Sequence, residues 1–314
     1  MIIGMHVQTI SRKVSRNVIT SYKLIGESST VHIENIIGKL EKDKSVSVRY
    51  AVPSMAYSTF WTDSNGLQFI QREHGEFFPM VYGSILSSDT TQMSLVTDTP
   101  EAVSFDEKTG LEVLLHRNPS HTGAVGEPLN DKTVATILHR LKFDVTTPGK
   151  INSLIHRRSA LSLNFLPLIA VMEGLSNVTI KPQKMIELLP PSVHLVSWQL
   201  HDLQSETFAL RFLQLLEESI ETEANKKFLS QSSFSLLQSF NTTNVPKMHS
   251  IEERTLSMSI KKRLCDRWRT EMEDVGKDGI SRDLNIAGEA LYSFNLNLTS
   301  IEIRSFLASF ESAR

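Results

Sequence analysis

Four carboxylates stand near the ends of alternating apolar segments and are the first residues whose type and placement suggest chemistry: Asp63, Asp98, Glu112 and Glu127. Two such groups cleave a glycosidic bond when held about 5–5.5 Å apart for retention or about 6.5–9.5 Å apart for inversion. Each also has a plainer reading, Asp63 and Asp98 as turn formers and Glu112 as the polar member of a strand. Trp61 and Trp198 are candidates for stacking on sugar rings, although a tryptophan in a sheet is more often interior packing. The ten histidines are scattered, with no H-E-x-x-H pair to set two imidazoles on one helical face. A site assembled from distant strands stays open. Neither G-x-G-x-x-G, G-x-x-x-x-G-K-[ST] nor G-x-S-x-G occurs, which argues against the common dehydrogenases, phosphoryl-transfer enzymes and α/β-hydrolases. Cys265 is the sole cysteine, so an intrachain disulfide and a cysteine-rich zinc site are both excluded, and it reads as a small apolar residue.

The elements that would position these residues are strands. Val46, Val48 and Tyr50 alternate with Ser47 and Arg49, and Met93, Leu95 and Thr97 with Ser94 and Val96. Asn65-Gly66 predicts a type I′ hairpin, and Gly75, Gly83, Gly110, Gly123 and Gly126 mark further turns. Antiparallel sheet is expected from about Val31 to about Ile180, after a lead-in over 1–30. A boundary falls near Pro190-Pro191, because two prolines cannot occupy a central strand. The portions are therefore 31–188 and a smaller β-domain over 189–314. In the latter, Phe208/Leu210/Phe212, Leu256/Met258/Ile260, Tyr292/Phe294/Leu296/Leu298 and Ile301 to Phe306 read as strands. Ile260, Leu264, Trp268 and Met272 form a helical stripe, and Leu216, Ile220, Ala224 and Phe228 a weaker one.

At 314 residues the chain is long enough for two domains. With 33 Lys+Arg against 35 Asp+Glu the net charge is −2, so no nucleic-acid partner is expected; the densest basic cluster, Lys261-Lys262-Arg263 with Arg267 and Arg269, is answered by Glu271, Glu273 and Asp274. No membrane association is expected either, since the longest apolar stretch, Leu161 to Met172, is broken by Asn164 and Pro167 and is too short to span a bilayer. The N-terminus lacks the basic and apolar regions of a signal peptide. Three sequons, at Asn177, Asn241 and Asn297, would accept N-glycans in a chain that enters the secretory pathway. From residues alone the reading ends at an all-β, two-domain chain with no visible catalytic motif.

Five segments stand in a recognisable order: Phe60 to Gly66 (Phe-Trp-Thr-Asp-Ser-Asn-Gly), Phe77-Phe78-Pro79-Met80, Gln92 to Asp98, Gly110 to Arg117 and Val125 to Leu129. With Ile301 to Ser309 at the end, this pattern resembles class II α-mannosidases of glycoside hydrolase family 38, most closely the lysosomal branch, over about Val31 to Phe310. The resemblance implies a large antiparallel β-sandwich of the galactose-mutarotase-like supersandwich type, followed by a smaller C-terminal β-domain. It also implies a lysosomal or secretory location.

In that family the zinc ion, its His and Asp ligands, the aspartate nucleophile and the acid/base carboxylate belong to a preceding α/β domain. No position here matches them, so no catalytic residue and no zinc or other cofactor is expected in this chain. One sandwich loop of the family, commonly Asp-Asp-x-Arg-Gly-x-Gly-Glu, faces the active site; here it reads Ser120-His121-Thr122-Gly123-Ala124-Val125-Gly126-Glu127. The expected site-facing residues are His121, Thr122, Gly123, Gly126 and Glu127, with the aspartates and the arginine replaced. Loss of the guanidinium removes a directional, charged donor. The resemblance thus implies a non-catalytic C-terminal portion of an α-mannosidase. The alternatives are an accessory piece of a split or processed enzyme, or a stand-alone carbohydrate-binding module using Trp61 or Trp198. The partners implied are an α-mannosidase catalytic domain, a second copy through exposed apolar surface, or mannose-containing glycans.

Overall fold

The computed structural model describes residues 7–26, 28–51, 57, 59–63, 65–121, 129, 131–166, 189–203, 206–230, 234–236, 247–261, 285–287 and 295–310, with backbone course only at 229–230 and 285–287. The chain divides into two compact units, Met1–Ile169 with Ser219–Thr222, and Ala170–Glu218 with Glu223–Arg314.

The first unit is an antiparallel β-sandwich. Its strands are β1 (Val7–Ser15), β2 (Val18–Ile25), β3 (Thr30–Ile37), β4 (Lys44–Tyr50), β5 (Thr59–Asp63), β6 (Phe69–Arg72), β7 (Phe78–Met80), β8 (Gly83–Ser87), β9 (Thr91–Thr97), β10 (Glu101–Asp106), β11 (Gly110–Asn118) and β12 (Ala135–Val145), followed by helix α1 (Ser153–Asn164). An eight-stranded sheet runs β1-β2-β3-β12-β9-β8-β5-β6, and a four-stranded sheet runs β4-β11-β10-β7. Between them lie Phe60, Leu86, Met93 and Leu95 from the larger sheet and Val103, Phe105, Leu111 and Val113 from the smaller, none more than 3% exposed. Removing each such side chain from water stabilises the fold by about 1.5–3 kcal/mol.

A polar chain crosses this apolar interior. Glu101 of β10 accepts a hydrogen bond from Nε2 of His139 on β12 at 2.8 Å, with the side chains 2% and 0% exposed. Nδ1 of the same ring accepts the hydroxyl of Tyr50, on β4, at 2.6 Å. Beside it, the Asn35 side-chain carbonyl accepts the Thr20 hydroxyl at 2.9 Å. Burial pushes the Tyr50 phenol far up, beyond ionisation at physiological pH.

The opposite face of the eight-stranded sheet is also covered. Trp61, Phe69 and Ile85 pack with Ile151 and Ile220, and Val96 packs with Ala160 and Leu163 of α1. The N-terminus of α1 is capped from a distant part of the sequence: Glu221 accepts the Leu154 N–H at 3.1 Å and the Ser153 hydroxyl. Gly83 lets this layer close, since a Cβ there would lie 2.1 Å from the Leu95 carbonyl oxygen and 2.8 Å from Cε1 of His156.

The second unit contains β13 (Val193–Asp202), β14 (Thr207–Gln214), α2 (Glu223–Ser230), β15 (Phe234–Ser235), β16 (Met248–Arg254), β17 (Asn285–Ala287), β18 (Asn295–Leu296) and β19 (Ile303–Phe310). Its five-stranded sheet runs β13-β14-β19-β16-β17 beside the pair β15-β18. Leu210, Phe212, Leu236, Ile251, Leu296, Phe306 and Ala308 are completely buried in its core. Arg304 holds Glu253 through two parallel bonds, Nε to Oε1 at 2.9 Å and Nη2 to Oε2 at 2.6 Å, between strands β19 and β16.

The architecture is all-β, a larger sandwich followed by a smaller β-unit, but several local expectations are corrected. Residues 7–25 are strands of the main sheet where a lead-in is expected, because β1 pairs with β2 and β2 pairs with β3. Residues 153–164 are helical inside the expected all-strand range; Leu161-Ser162-Leu163-Asn164 imitates a strand, and Glu221 supplies a cap that sequence proximity does not show. Asn65-Gly66 forms no two-residue turn: Asp63 pairs with Phe69, the Asn65 side chain accepts the N–H groups of Leu67 and Gln68, and Gly66 alone takes positive φ (77°). Gly83 lies within β8 rather than at a turn. Leu256 to Ile260 is a turn, with Met258 buried at φ 63° while Leu256 and Ile260 are exposed. The 216–228 stripe is helical only from Glu223, since Ile220 and Glu221 pair with Ile151. The 264–272 part of the other stripe, Tyr292 and Phe294 lie outside the described residues.

Tyr50→Phe tests the polar chain through the sandwich. It leaves a buried imidazole nitrogen without its donor, and denaturant unfolding is expected to report a loss of about 1–3 kcal/mol.

Candidate functional site

The segment joining β11 to β12 holds the residues expected to face a site. Thr122, Gly123, Gly126 and Glu127 lie outside the described residues, whereas His121 is exposed at the rim of a well-defined loop base. Asp43, which enters β4 with φ 58°, donates its N–H to the Asn118 carbonyl at 2.8 Å. Its carboxylate accepts the Ser120 N–H at 2.7 Å and the Ser120 hydroxyl at 2.7 Å. Asn118, 4% exposed, donates to the Leu40 carbonyl at 3.1 Å and accepts the Asp131 N–H at 3.1 Å. Leu129 N–H donates to the Pro119 carbonyl at 3.3 Å, drawing the returning chain against the outgoing one.

Asp131 accepts the N–H and hydroxyl of Thr133 at 2.8 and 2.7 Å and lies 3.9 Å from Nε2 of His116. Both aspartates are held below the usual carboxylate range, Asp43 first by the Ser120 hydroxyl and Asp131 first by the Thr133 N–H. Sequence reasoning passes over Asp43, Asn118 and Asp131. The available signal is Ser120 itself, a short hydroxyl standing where the family loop begins with a carboxylate, and therefore in need of an acceptor from elsewhere.

The carboxylates considered for acid–base chemistry are engaged in the fold. Asp63, 2% exposed, accepts three successive backbone N–H groups: Val81 at 3.1 Å, Tyr82 at 2.9 Å and Gly83 at 2.9 Å. Burial pushes its carboxyl up to about 6 and the N–H groups hold it back. Asp98 accepts the Leu138 N–H at 2.9 Å and the Thr99 hydroxyl at 3.1 Å. Glu112 accepts Ser47 at 2.7 Å and Arg49 at 2.6 Å, and both contacts hold its carboxyl below the usual range. Asp63 belongs to the outer face of the eight-stranded sheet, as its neighbours Trp61 and Ile85 do. Glu112 alternates with core residues Leu111 and Val113 and so faces outward from the four-stranded sheet. Packed sheets lie about 10 Å apart, so these two cannot form a hydrolytic pair. Glu127 lies outside the described residues.

The two tryptophans are packing residues. Trp61 is 8% exposed among Phe69, Ile85 and Ile151, and its indole N–H donates to Thr59 at 3.0 Å. Trp198 stacks on Phe310 with ring centres 6.1 Å apart and meets Phe208 edge-on, which occupies the face a sugar would need. Of the sequons, Asn177 and Asn241 lie outside the described residues; Asn297 is exposed after β18, with Leu298 buried beside it and the Thr299 hydroxyl bonded to Glu302 at 3.0 Å. Among the described residues no three His, Cys, Asp or Glu side chains gather closely enough to hold a metal ion.

Comparison with known proteins identifies the class. A profile of the family described as Glycosyl hydrolases family 38 C-terminal domain matches residues 3–125. An alpha-mannosidase of Arabidopsis thaliana is 24% identical over 317 aligned residues, covering 89% of this chain and 30% of its own length. Two solved structures from Enterococcus faecalis share the fold at 14% identity and a TM-score of 0.51: one described as an alpha-mannosidase, with 63% of this chain and 23% of that one covered, and one as a protein in glycosyl hydrolase family 38, with 94% and 30% covered. Over residues 3–125 the chain is thus similar to the C-terminal domain of glycosyl hydrolase family 38, and over most of its length it shares the fold of such proteins. It spans about 30% of the length of the curated relative it matches.

Removing the carboxylate that anchors the loop base, with Asp43→Ala, is expected to speed amide exchange at Ser120 by about tenfold, because local opening then breaks fewer bonds. Asp43→Asn keeps an acceptor and tolerates positive φ, so it is expected to stay close to the parent; equal exchange in all three proteins contradicts the assignment.

Proposed function

We propose that this chain is the non-catalytic C-terminal portion of an α-mannosidase, a β-sandwich platform whose hydrolytic and zinc-binding machinery belongs to a separate α/β domain. The observation that carries this reading is the engagement of Asp63, Asp98 and Glu112: each carboxylate is occupied by backbone or ion-pair partners, and Asp63 and Glu112 face away from one another across the sandwich. The match to a C-terminal domain, on a chain that covers 30% of an alpha-mannosidase, supports the same view. In this role the β11–β12 loop is what the platform offers to a neighbouring active site, and the Asp43–Ser120 anchor sets its direction. Incubated with zinc and an aryl α-mannoside, the pure chain is expected to release no more phenol than a heat-inactivated control, and turnover above that control overturns the proposal.

The partner surface follows from exposure. β1 is an edge strand whose Ile10 and Val14 are 71% and 61% exposed, and Tyr22, paired with Ile10, is 40% exposed. An unpaired edge bearing apolar side chains invites strand addition or docking. We take this edge as the face through which the chain meets a catalytic domain or a second copy of itself. Light scattering is expected to show a mass that grows with concentration and falls to one chain in Ile10→Lys/Val14→Lys; a monodisperse monomer in the parent counts against it.

A further inference from the structure

His156 is the one histidine of α1, and its ring is 1% exposed. Neither ring nitrogen has a hydrogen-bond partner among the described residues. Buried polar groups are nearly always bonded, so an imidazole packed purely as an apolar ring calls for a reason. Phe69 meets it edge-on with ring centres 5.0 Å apart. Gly83 passes so close that a Cβ on it would lie 2.9 Å from Nε2. The strand leaves no space for even a methyl group between Gly83 and the ring, and the neutral imidazole suits this packing.

The charged groups around this contact do not welcome a cation. Arg157, next on the helix, lies over the Phe69 ring at 5.1 Å and adds a like charge. Asp63 on β5 is an acidic group on the same face of the sheet, but its oxygens are turned to the N–H groups of Val81, Tyr82 and Gly83. Glu221 is taken up in capping Ser153 and Leu154, and Arg140 on β12 donates to the Ser159 carbonyl and Ser162.

We propose that His156 is an acid-release latch: uptake of a proton by its ring undocks α1 from the outer face of the eight-stranded sheet and uncovers Phe69 and Val96 beneath it. The proton comes from solvent and enters a nitrogen lone pair. The imidazolium then carries two N–H donors with no acceptor among the described residues, beside a guanidinium. Undocking returns both donors to solvent.

Burial, and then Arg157, lowers the His156 ring from 6.5 to about 3. A base whose affinity for protons is depressed by docking contributes its full stability above 6.5 and loses it as the pH falls below that value. Asp63 acts with the opposite sign, since its raised carboxyl favours the docked form on acidification. The comparison that isolates His156 is therefore with His156→Phe, which keeps the ring contacts and Asp63 but cannot titrate.

Hydrogen exchange of residues 153–164, corrected for intrinsic rates, reads the opening of α1 in both proteins. The ratio of opening in the parent to opening in the variant is expected to rise about 25-fold between pH 7 and pH 5. Parallel pH dependence in the two proteins overturns the latch. Should His156→Phe fail to fold, nitrogen-detected NMR of the parent decides: the His156 ring is expected to stay neutral at pH 5 as long as the α1 amides are protected. A ring that titrates near 6.5 with those amides still protected refutes the proposal.

Discussion

The hydrogen-bonded chain Glu101–His139–Tyr50 joins the four-stranded sheet to the eight-stranded sheet at both nitrogens of one imidazole. Apolar layers alone would let two sheets slide, because dispersion and the exclusion of water carry little direction. A buried imidazole with two fixed partners does not permit sliding: moving either sheet by one residue strands a carboxylate and a phenol in a medium where each costs several kcal/mol. Phe60, Leu86, Val103 and Val113 supply most of the stability around it, and the relay fixes the register in which they meet.

The other face of the same sheet is closed by a different device. α1 lies against β8 and β9, and its approach is set by the missing side chain at Gly83 and by a cap that Glu221 brings from sixty-seven residues along the chain. Asp63 draws the turn after β7 into three consecutive donors, which brings Gly83 to its place beneath His156. Two titratable groups thus flank one glycine, with opposite responses to acid. The stability of this layer depends on both.

Residues that look chemical in the one-dimensional chain are largely structural in the folded one. Asp63, Asp98 and Glu112 each close a turn or pair two strands, and Trp61 and Trp198 are aromatic ballast in separate cores. The two ends of the β11–β12 connection are anchored by Asp43, Asn118 and Asp131, none of which carries a motif.

The alternation of Val46, Val48 and Tyr50, or of Met93 and Leu95, was enough to define strands, since a half-buried strand imposes its period of two directly on the residue types. The ordered segments from Phe60 to Leu129 were likewise enough to define the family region. Fold class was therefore legible from sequence alone. The strand nature of 7–25, the helix at 153–164 and the loop anchor were not. Each depends on a partner outside its own segment: the neighbouring β3 for β2 and, far along the chain, Glu221 for α1 and Asp43 for Ser120. The fate of a polar group followed the same rule. Whether a carboxylate is a catalyst or a clasp, and whether a histidine is solvated or sealed, is decided by which donors, acceptors and waters the fold leaves within about 3 Å, and that distance exists only in three dimensions.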